Sequence, residues 1–232
     1  MSQKLVGPFH PPAAGGKARH IVVMLHGYGA DGNDLIGLAG LLSPALPGAA
    51  FYSPHAPEVC EAWDSGRQWF SLNAYDPETV RRDPTQMTKV HQDMLAGARL
   101  AAPILDSFLD DLLALHDLPP GRMALMGFSQ GTMMALHVAL RRPLPVAAVV
   151  GYSGALLGAH QLGDEIVSRP PVLLVHGEMD DVIPVEATGV AETALRGAGV
   201  TVTAHIRPDL PHGIDETGAN LGLRFLVEAL AD

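Results

Sequence analysis

The sequence is poor in charged residues and in cysteine. Charged residues make up 17% of the 232 residues, below the roughly 25% of an average soluble domain, whereas hydrophobic residues make up 47%. Disordered chains have the opposite balance, so this composition predicts a folded chain, and its length favours one large domain over two small ones. Cys60 is the only cysteine and cannot form an intramolecular disulfide bond, which fits a reducing compartment.

Basic clusters and long apolar targeting segments are also missing. The net charge is −10, and the only adjacent basic pairs are Arg81-Arg82 and Arg141-Arg142, so the sequence offers no surface for nucleic acid or for an anionic membrane. The first twelve residues contain three prolines and no apolar run of signal-peptide length. Prolines and glycines interrupt the uncharged stretch 143–163, which favours a buried strand over a membrane span. These features predict a cytoplasmic protein.

Short apolar runs alternate with segments of helical period along the chain. This alternation is typical of βαβ units and predicts an α/β fold, with one domain over residues 1–232 and a mostly parallel sheet that has helices on both faces. The predicted strands are 21–25, 50–53, 123–127, 146–151, 172–175 and 200–206. The predicted helices are 34–42, 87–115, 130–141, 185–196 and 216–230. Within the second helix, Pro103 predicts a kink or a break.

The segment 54–85 shows neither period. It is rich in Pro, Asp and Gly, and it contains Trp63, Trp69 and Phe70. Loops of this length in globular domains are usually lids or binding loops, so the segment is predicted to be a lid or a substrate-binding region. The alternative, in which the aromatic residues only cover the edge of the sheet, agrees equally well with the sequence.

A serine flanked by glycines follows one of the predicted strands. The residues Gly127 to Gly131 read GFSQG and join an apolar run to a helical segment, which is the strand-turn-helix context of a nucleophile elbow. Small residues allow a sharp turn, and the helix N-terminus offers unpaired N–H groups to developing negative charge. The pattern predicts Ser129 as a nucleophile, and its structural alternative is a helix-capping serine.

A serine nucleophile needs a histidine base and an acid that orients the base. In α/β-hydrolases the acid follows a late strand, and the histidine precedes the last helix. His212 lies in that second place, within the sequence PDLPHG after the last predicted strand. The place of the acid, after the preceding strand, holds Glu178, Asp180 and Asp181, and spacing alone leaves all three open.

A second glycine-rich turn follows the first long strand. Gly27, Gly29 and Gly32 fit the G-x-G-x-x-G pattern of dinucleotide-binding turns, but no acidic residue ends the next strand to hold a ribose. Beside a nucleophile elbow such a turn has another use, because the backbone N–H groups of Tyr28 and Gln130 can together form an oxyanion hole. The sequence therefore favours an oxyanion hole over a dinucleotide site.

Most of the other histidines carry no catalytic signal. His26 and His176 each precede a glycine at a strand end, where an imidazole can hold loop backbone together, and we assign them that structural role. No two histidines have the H-x-x-x-H spacing of a helical zinc site, and one cysteine cannot supply a thiolate cluster. We therefore expect no metal site.

Five ordered blocks resemble the phospholipase/carboxylesterase family of α/β-hydrolases, which includes the acyl-protein thioesterases. The blocks are LHGYGADGNDL at 25–35, QWF at 68–70, GFSQGTMMAL at 127–136, HGEMDDVIP at 176–184 and PHGID at 211–215. The resemblance spans nearly the whole chain, and it implies the α/β-hydrolase fold and a reaction without a cofactor.

The resemblance also implies the catalytic roles. Ser129 is the expected nucleophile and His212 the expected base. Asp180 is the expected acid, because it matches the aspartate of the family's H-G-x-x-D-x-x-V-P block. The adjacent Asp181 is an additional acid that leaves this assignment slightly open.

The same resemblance implies the binding groups and the substrate class. The backbone amides of Tyr28 and Gln130 are the expected oxyanion hole, and Trp69 and Phe70 are expected near the acyl pocket as substrate-binding residues. The expected reaction is hydrolysis of carboxylic esters of short to medium acyl chain, with thioesters and lysophospholipids as further candidates. The expected partner is thus a small-molecule ester or thioester, and a homodimer is the candidate assembly. Non-catalytic binding on the same fold is the alternative function.

Overall fold

A seven-stranded sheet lies at the centre of the computed structural model, which describes residues 4–73 and 86–231. The strands in chain order are β1 (Phe9–His10), β2 (His20–Leu25), β3 (Ala49–Tyr52), β4 (Glu58–Val59), β5 (Arg67–Gln68), β6 (Met123–Phe128), β7 (Ala148–Tyr152), β8 (Val172–Gly177) and β9 (Val202–Arg207). The sheet has the order β1-β3-β2-β6-β7-β8-β9, and only the β1–β3 pair is antiparallel. The short strands β4 and β5 form a separate antiparallel pair.

Helices cover both faces of the sheet. They are α1 (Gly32–Ile36), α2 (Ala39–Leu42), α3 (Gln86–His116), α4 (Gln130–Ala139), α5 (Leu162–Glu165), α6 (Glu186–Gly197) and α7 (Glu216–Ala229). Buried residues of α3, α4 and α6 belong to one hydrophobic cluster, and those of α1, α2 and α7 belong to the other. No helix in the described ranges is long and apolar enough to cross a membrane.

The central strands are buried on both faces, as their unbroken apolar runs predict. In β2, Val22 and Met24 point into one hydrophobic cluster, whereas Ile21, Val23 and Leu25 point into the other. Strands β2, β6, β7 and β8 run parallel, so their carboxyl ends meet along one edge of the sheet. Ligand sites of open α/β sheets form at this edge.

The predicted α/β fold, with a mostly parallel sheet and helices on both faces, is confirmed. All six predicted strands and the four long predicted helices are present, with ends that differ by a few residues. The helix predicted at 34–42 is instead two short helices, α1 and α2. Strands β1, β4 and β5 were not predicted, because two residues are too few to show a period of two.

The helix α3 continues through Pro103, so a break there is wrong, whereas a kink at this position stays a prediction. The proline removes one backbone donor, but packing of α3 against the sheet and α4 holds the remaining helix together. The predicted lid segment 54–85 falls partly outside the described residues, because 74–85 lie beyond them. Its described part, up to residue 73, contains the β4–β5 pair.

Buried His137 predicts a loss of stability at mildly acidic pH. The side chain is 3% exposed in α4, and its Nδ1 has no hydrogen-bond partner among the described residues. Burial, together with the charge of Arg141, lowers the pKa of His137 from 6.5 to about 4. The unfolded chain therefore binds a proton that the folded chain does not, and the free energy of unfolding falls as the pH drops from about 6.5 towards 4. His137→Leu should remove roughly 2 kcal/mol of the destabilisation that occurs between pH 7.5 and pH 5.

Urea unfolding of both proteins at the two pH values measures this difference. The exposed Val227 supplies the control, since Val227→Ala removes no titratable group and should leave the wild-type pH dependence unchanged. If His137→Leu and the wild type lose the same free energy of unfolding on acidification, the destabilisation does not come from His137.

Candidate functional site

A sharp turn joins β6 to α4 and presents the side chain of Ser129 at the carboxyl edge of the sheet. Ser129 has φ 53° and ψ −118°, a conformation that side-chain-bearing residues rarely adopt. The flanking glycines are required by close packing. A Cβ at Gly131 would lie 1.9 Å from the carbonyl oxygen of Leu25, and a Cβ at Gly127 would lie 2.5 Å from the backbone of Gly131. The turn therefore has the geometry of a nucleophile elbow.

His212 and Asp180 meet at the same edge, on the loops that follow β9 and β8. The Nδ1 of His212 lies 2.8 Å from Oδ2 of Asp180, whose carboxyl group is fully buried. Since a carboxylate only accepts hydrogen bonds, Nδ1 of His212 carries the proton and Nε2 is the free base. The ring of His212 also packs on Phe128, with the ring centroids 4.8 Å apart.

Hydrogen bonds keep the buried carboxylate of Asp180 charged. Burial alone raises the pKa of this carboxyl group, but the hydrogen bond from His212 and those from two backbone N–H groups outweigh burial and hold the pKa below its ordinary value. The two N–H groups belong to Val182 and Ile183, and they donate to Oδ1 over 3.0 and 2.8 Å. Of the three acids that spacing left open, Glu178 and Asp181 are exposed, and Asp180 is the one that contacts His212.

The glycine-rich turn after β2 lies beside Ser129, and its backbone is held from several sides. His26 bonds to the carbonyl oxygen of Gly27 through Nδ1, and its Nε2 accepts the N–H of Ala56. This pattern requires a neutral ring, and burial lowers the pKa of His26 to about 4. Gly29 has φ 79°, and Trp63 donates to its carbonyl oxygen.

Two residues beside Ser129 have backbone N–H groups without a hydrogen-bond partner among the described residues. Within the described residues, no backbone hydrogen bond engages the N–H of Tyr28 or the N–H of Gln130, and both residues line the same cavity as Ser129. Gln130 begins α4, so its N–H also lies at the positive end of the helix dipole. These two groups are the donors that the sequence assigned to an oxyanion hole.

The side chain of Asp31 occupies the helix N-terminus that a dinucleotide would need at this turn. A Cβ at Gly32 would lie 2.0 Å from the carbonyl oxygen of Ser53, so this glycine serves packing between the turn and β3. The N-terminus of α1 is capped by the side chain of Asp31, which accepts the N–H of Asn33 over 2.7 Å. A carboxylate in this position repels a pyrophosphate, which agrees with the preference for an oxyanion hole.

Trp69 and Phe70 lie behind the wall of the cavity and do not line it. Both are buried, with 1% and 2% of their surface exposed. The backbone N–H of Trp69 donates to Oε1 of Gln130, and Nε2 of Gln130 donates to the carbonyl oxygen of Phe70. The pair therefore locks the side chain of Gln130, and the segment contributes Trp63 and Leu72 to the wall in their place.

The cavity beside Ser129 has a volume of about 530 Å³. Its wall is mostly apolar, and besides Ser129 and His212 it includes residues from α3, α4, α6 and the loops after β7 and β8. The members are Gly27, Tyr28, Ala30, Trp63, Leu72, His91, Met94, Phe128, Gln130, Met133, Ala155, Leu157, Val182, Ile183, Pro184, Glu186, Ala187 and Val190. Most of these residues were missed by sequence reasoning, because they come together only in the fold.

Known proteins resemble this chain in sequence and in fold. The model of the phospholipase/carboxylesterase family matches residues 12–227. Acyl-protein thioesterase 1 of Gibberella zeae is 26% identical over 230 residues, which cover 91% of each chain. Esterase YpfH of Escherichia coli is 26% identical over 212 residues, which cover 90% of this chain and 82% of that protein.

Solved structures agree with these relatives. The crystal structure of esterase PE8 matches with a TM-score of 0.90 and 40% sequence identity, covering 98% of this chain and 100% of that one. SOBER1 of Arabidopsis thaliana, at 21% identity and a TM-score of 0.73, covers 92% of this chain and 100% of its own, and it shares the fold. With its family match over most of the chain, the protein belongs to the phospholipase/carboxylesterase family of α/β-hydrolases.

Proposed function

We propose that this chain is a serine carboxylesterase in which Ser129 is the nucleophile, His212 the general base and Asp180 the acid that orients the base. The observation that carries the proposal is the hydrogen bond of 2.8 Å between the buried carboxylate of Asp180 and His212, which lines the same cavity as Ser129. Family membership supports the hydrolytic activity itself.

The first half of the reaction transfers the acyl group to the protein. The Oγ of Ser129 attacks the ester carbonyl carbon while Nε2 of His212 takes the hydroxyl proton. The imidazolium that forms is stabilised by the carboxylate of Asp180. His212 then returns the proton to the leaving alcohol as the bond from carbon to oxygen breaks, and an acyl-enzyme remains.

Water completes the cycle by attacking the acyl-enzyme. His212 takes a proton from the water and returns it to Oγ of Ser129 as the acid leaves. In both halves the carbonyl oxygen gains negative charge, which we assign to the N–H groups of Tyr28 and Gln130. The lock on the Gln130 side chain by Trp69 and Phe70 supports this assignment, since it holds one of the two donors in place before substrate binds.

The apolar wall of the cavity suits the acyl chain of the substrate. Met94, Met133 and Leu157 supply apolar surface to this wall. Trp63 and Leu72 extend this wall, and they belong to the segment for which a lid or substrate-binding role was predicted. We propose the substrate-binding role for its described part, residues 54–73.

The length of the acyl chain should control the rate. In assays with p-nitrophenyl acetate, butyrate, hexanoate and octanoate, each added CH₂ that enters the cavity should raise kcat/KM by at most roughly 4-fold, because burying a CH₂ contributes about 0.8 kcal/mol. The increase should end once the cavity is full. Val190→Asp places a charge on the cavity wall and should flatten the increase for the longer esters.

Val227→Asp is the matched control, because Val227 is exposed on α7 and does not line the cavity. It should keep the wild-type dependence on chain length. A wild-type rate that does not change between acetate and octanoate would mean that the acyl chain binds elsewhere.

Further assays decide which leaving group the protein prefers and whether it is a catalyst or a non-catalytic binding protein. Acyl-coenzyme A thioesters and lysophospholipids with the same acyl chains as the p-nitrophenyl esters test the two other substrate classes. The apolar cavity is consistent with the acyl chain of each class. A non-catalytic binding protein would bind these compounds without releasing product. We favour catalysis, because a binding site does not need a buried acid paired with a histidine.

The cellular location and the assembly follow as further proposals. We propose a cytoplasmic protein, for which the unpaired and buried Cys60 gives support. A homodimer stays a prediction, which sedimentation equilibrium at assay concentration tests directly.

A further inference from the structure

His176 lies next to the proposed acid, beside the same carboxylate oxygen that His212 contacts. It is 1% exposed at the end of β8, four residues before Asp180. Its Nε2 is 3.1 Å from Oδ2 of Asp180 and 2.9 Å from the carbonyl oxygen of Ile183. Both neighbours are acceptors, so Nε2 of His176 carries a proton.

The other nitrogen of His176 is held by α6. Nδ1 lies 2.8 Å from Oγ1 of Thr188, a residue that is 4% exposed. In the neutral ring Nδ1 is an acceptor, so the hydroxyl of Thr188 donates to it. The ring is thus held at both nitrogens, and a rotation of the ring would break the contact to Thr188 or the contact to Ile183.

Two imidazoles therefore lie beside one carboxylate oxygen. Oδ2 of Asp180 accepts a hydrogen bond from His212 and lies 3.1 Å from Nε2 of His176, whose N–H donates to the carbonyl oxygen of Ile183, while Oδ1 accepts the N–H groups of Val182 and Ile183. A carboxylate with donors on both oxygens cannot turn without breaking at least two hydrogen bonds. The direction in which Oδ2 faces His212 is therefore set partly by His176.

We propose that His176, held by Thr188, is a positioning residue that fixes the carboxylate of Asp180 for His212. This inference rests on the proposed function and extends the structural role that the sequence suggested for His176. That role needs only the contact to Ile183, whereas positioning needs the contact to Asp180. The two roles differ in what they predict for catalysis.

The test compares three variants by kcat and KM with p-nitrophenyl butyrate. His176→Leu removes both contacts of Nε2 and should lower kcat roughly 10- to 100-fold with KM within about 2-fold of the wild type. His176→Gln keeps an N–H donor near the position of Nε2 and should recover most of the lost kcat. Thr188→Val removes the donor to Nδ1, and it should lower kcat by a smaller factor than His176→Leu does.

A double-mutant cycle with Asp180→Asn separates positioning from general structural damage. If His176 acts through Asp180, adding His176→Leu to Asp180→Asn should lower kcat by less than about 2-fold further. His137→Leu, another buried histidine replacement, is the control and should keep the wild-type kcat.

Three results would overturn the proposal. The first is an equal loss of kcat from His176→Leu in the wild type and in Asp180→Asn. The second is a His176→Gln variant that is as impaired as a folded His176→Leu variant. The third is a wild-type kcat in all three variants, with His176→Leu folded. If His176→Leu does not fold, the proposal is overturned when Thr188→Val keeps the wild-type kcat. Failure of the proposed function is distinct, since the wild type itself would then release no p-nitrophenol, or Ser129→Ala would release as much.

Discussion

Ser129→Ala is expected to lower kcat/KM for p-nitrophenyl butyrate by roughly 10⁴-fold or more, because the variant has no oxygen to form the acyl-enzyme. The fold should remain, since alanine removes one hydroxyl group that makes no hydrogen bond to the other described residues and leaves the turn at φ 53° unchanged. Steady-state hydrolysis and the melting temperature, measured on the same preparation, check both expectations.

Ser168→Ala is a suitable control for this variant. Ser168 is also buried, and it donates to the carbonyl oxygen of Ala139 at the far end of α4 from Ser129. Its loss should affect stability and leave kcat/KM unchanged. Undiminished hydrolysis by Ser129→Ala would reject Ser129 as the nucleophile.

Asp180→Asn is expected to have the second largest effect, a loss of roughly 10³- to 10⁴-fold in kcat. The carboxamide carries no charge to stabilise the imidazolium of His212, and its NH₂ group competes for the place of the acceptor. The Asp180 pKa lies below its ordinary value despite burial, because hydrogen bonds to the carboxylate outweigh burial, so this group is charged at neutral pH.

The adjacent acid provides a matched control for Asp180. Asp181→Asn removes the same charge one residue away, from an exposed side chain, and should change kcat by less than about 2-fold. A larger loss from Asp181→Asn than from Asp180→Asn would mean that the acid is the neighbouring residue.

The central fold could be predicted because buried parallel strands have a strong local signal. The runs that became β2 and β6 are apolar on both faces, so composition alone reveals them. The turn at Ser129 has a local signal too. Close backbone packing requires glycine at 127 and at 131, and these two glycines are visible in the sequence on either side of the serine. The short strands and the ends of α1 and α2 depend on tertiary packing and lack such a signal.

The site was predictable as a set of loops but not as a set of contacts. The order of strands brings the loops of Ser129, Asp180 and His212 to one edge, and this much follows from the βαβ pattern. The choice among three neighbouring acids does not follow from spacing, because it depends on which side chain turns inward. The contact between His176 and Asp180 is hidden for the same reason.

The aromatic residues show that a family block does not distinguish a side chain that lines a cavity from one that is buried behind its wall. Trp69 and Phe70 adjoin each other in a family block, and the sequence placed them beside the acyl pocket. Their side chains are instead buried, and their backbone atoms hold Gln130. Trp63, which lies outside that block, is 51% exposed and lines the cavity. Only the three-dimensional arrangement distinguishes a residue that lines a wall from one that supports it.

The most direct measurement is covalent labelling with a fluorophosphonate, followed by mass spectrometry of the digested protein. The reagent reacts rapidly only with a serine whose hydroxyl is activated by a base. The account predicts one label per chain, on Ser129, and a labelling rate that falls sharply in His212→Asn. No label, a label on another residue, or an unchanged rate in His212→Asn would contradict the claim that Ser129, His212 and Asp180 act together.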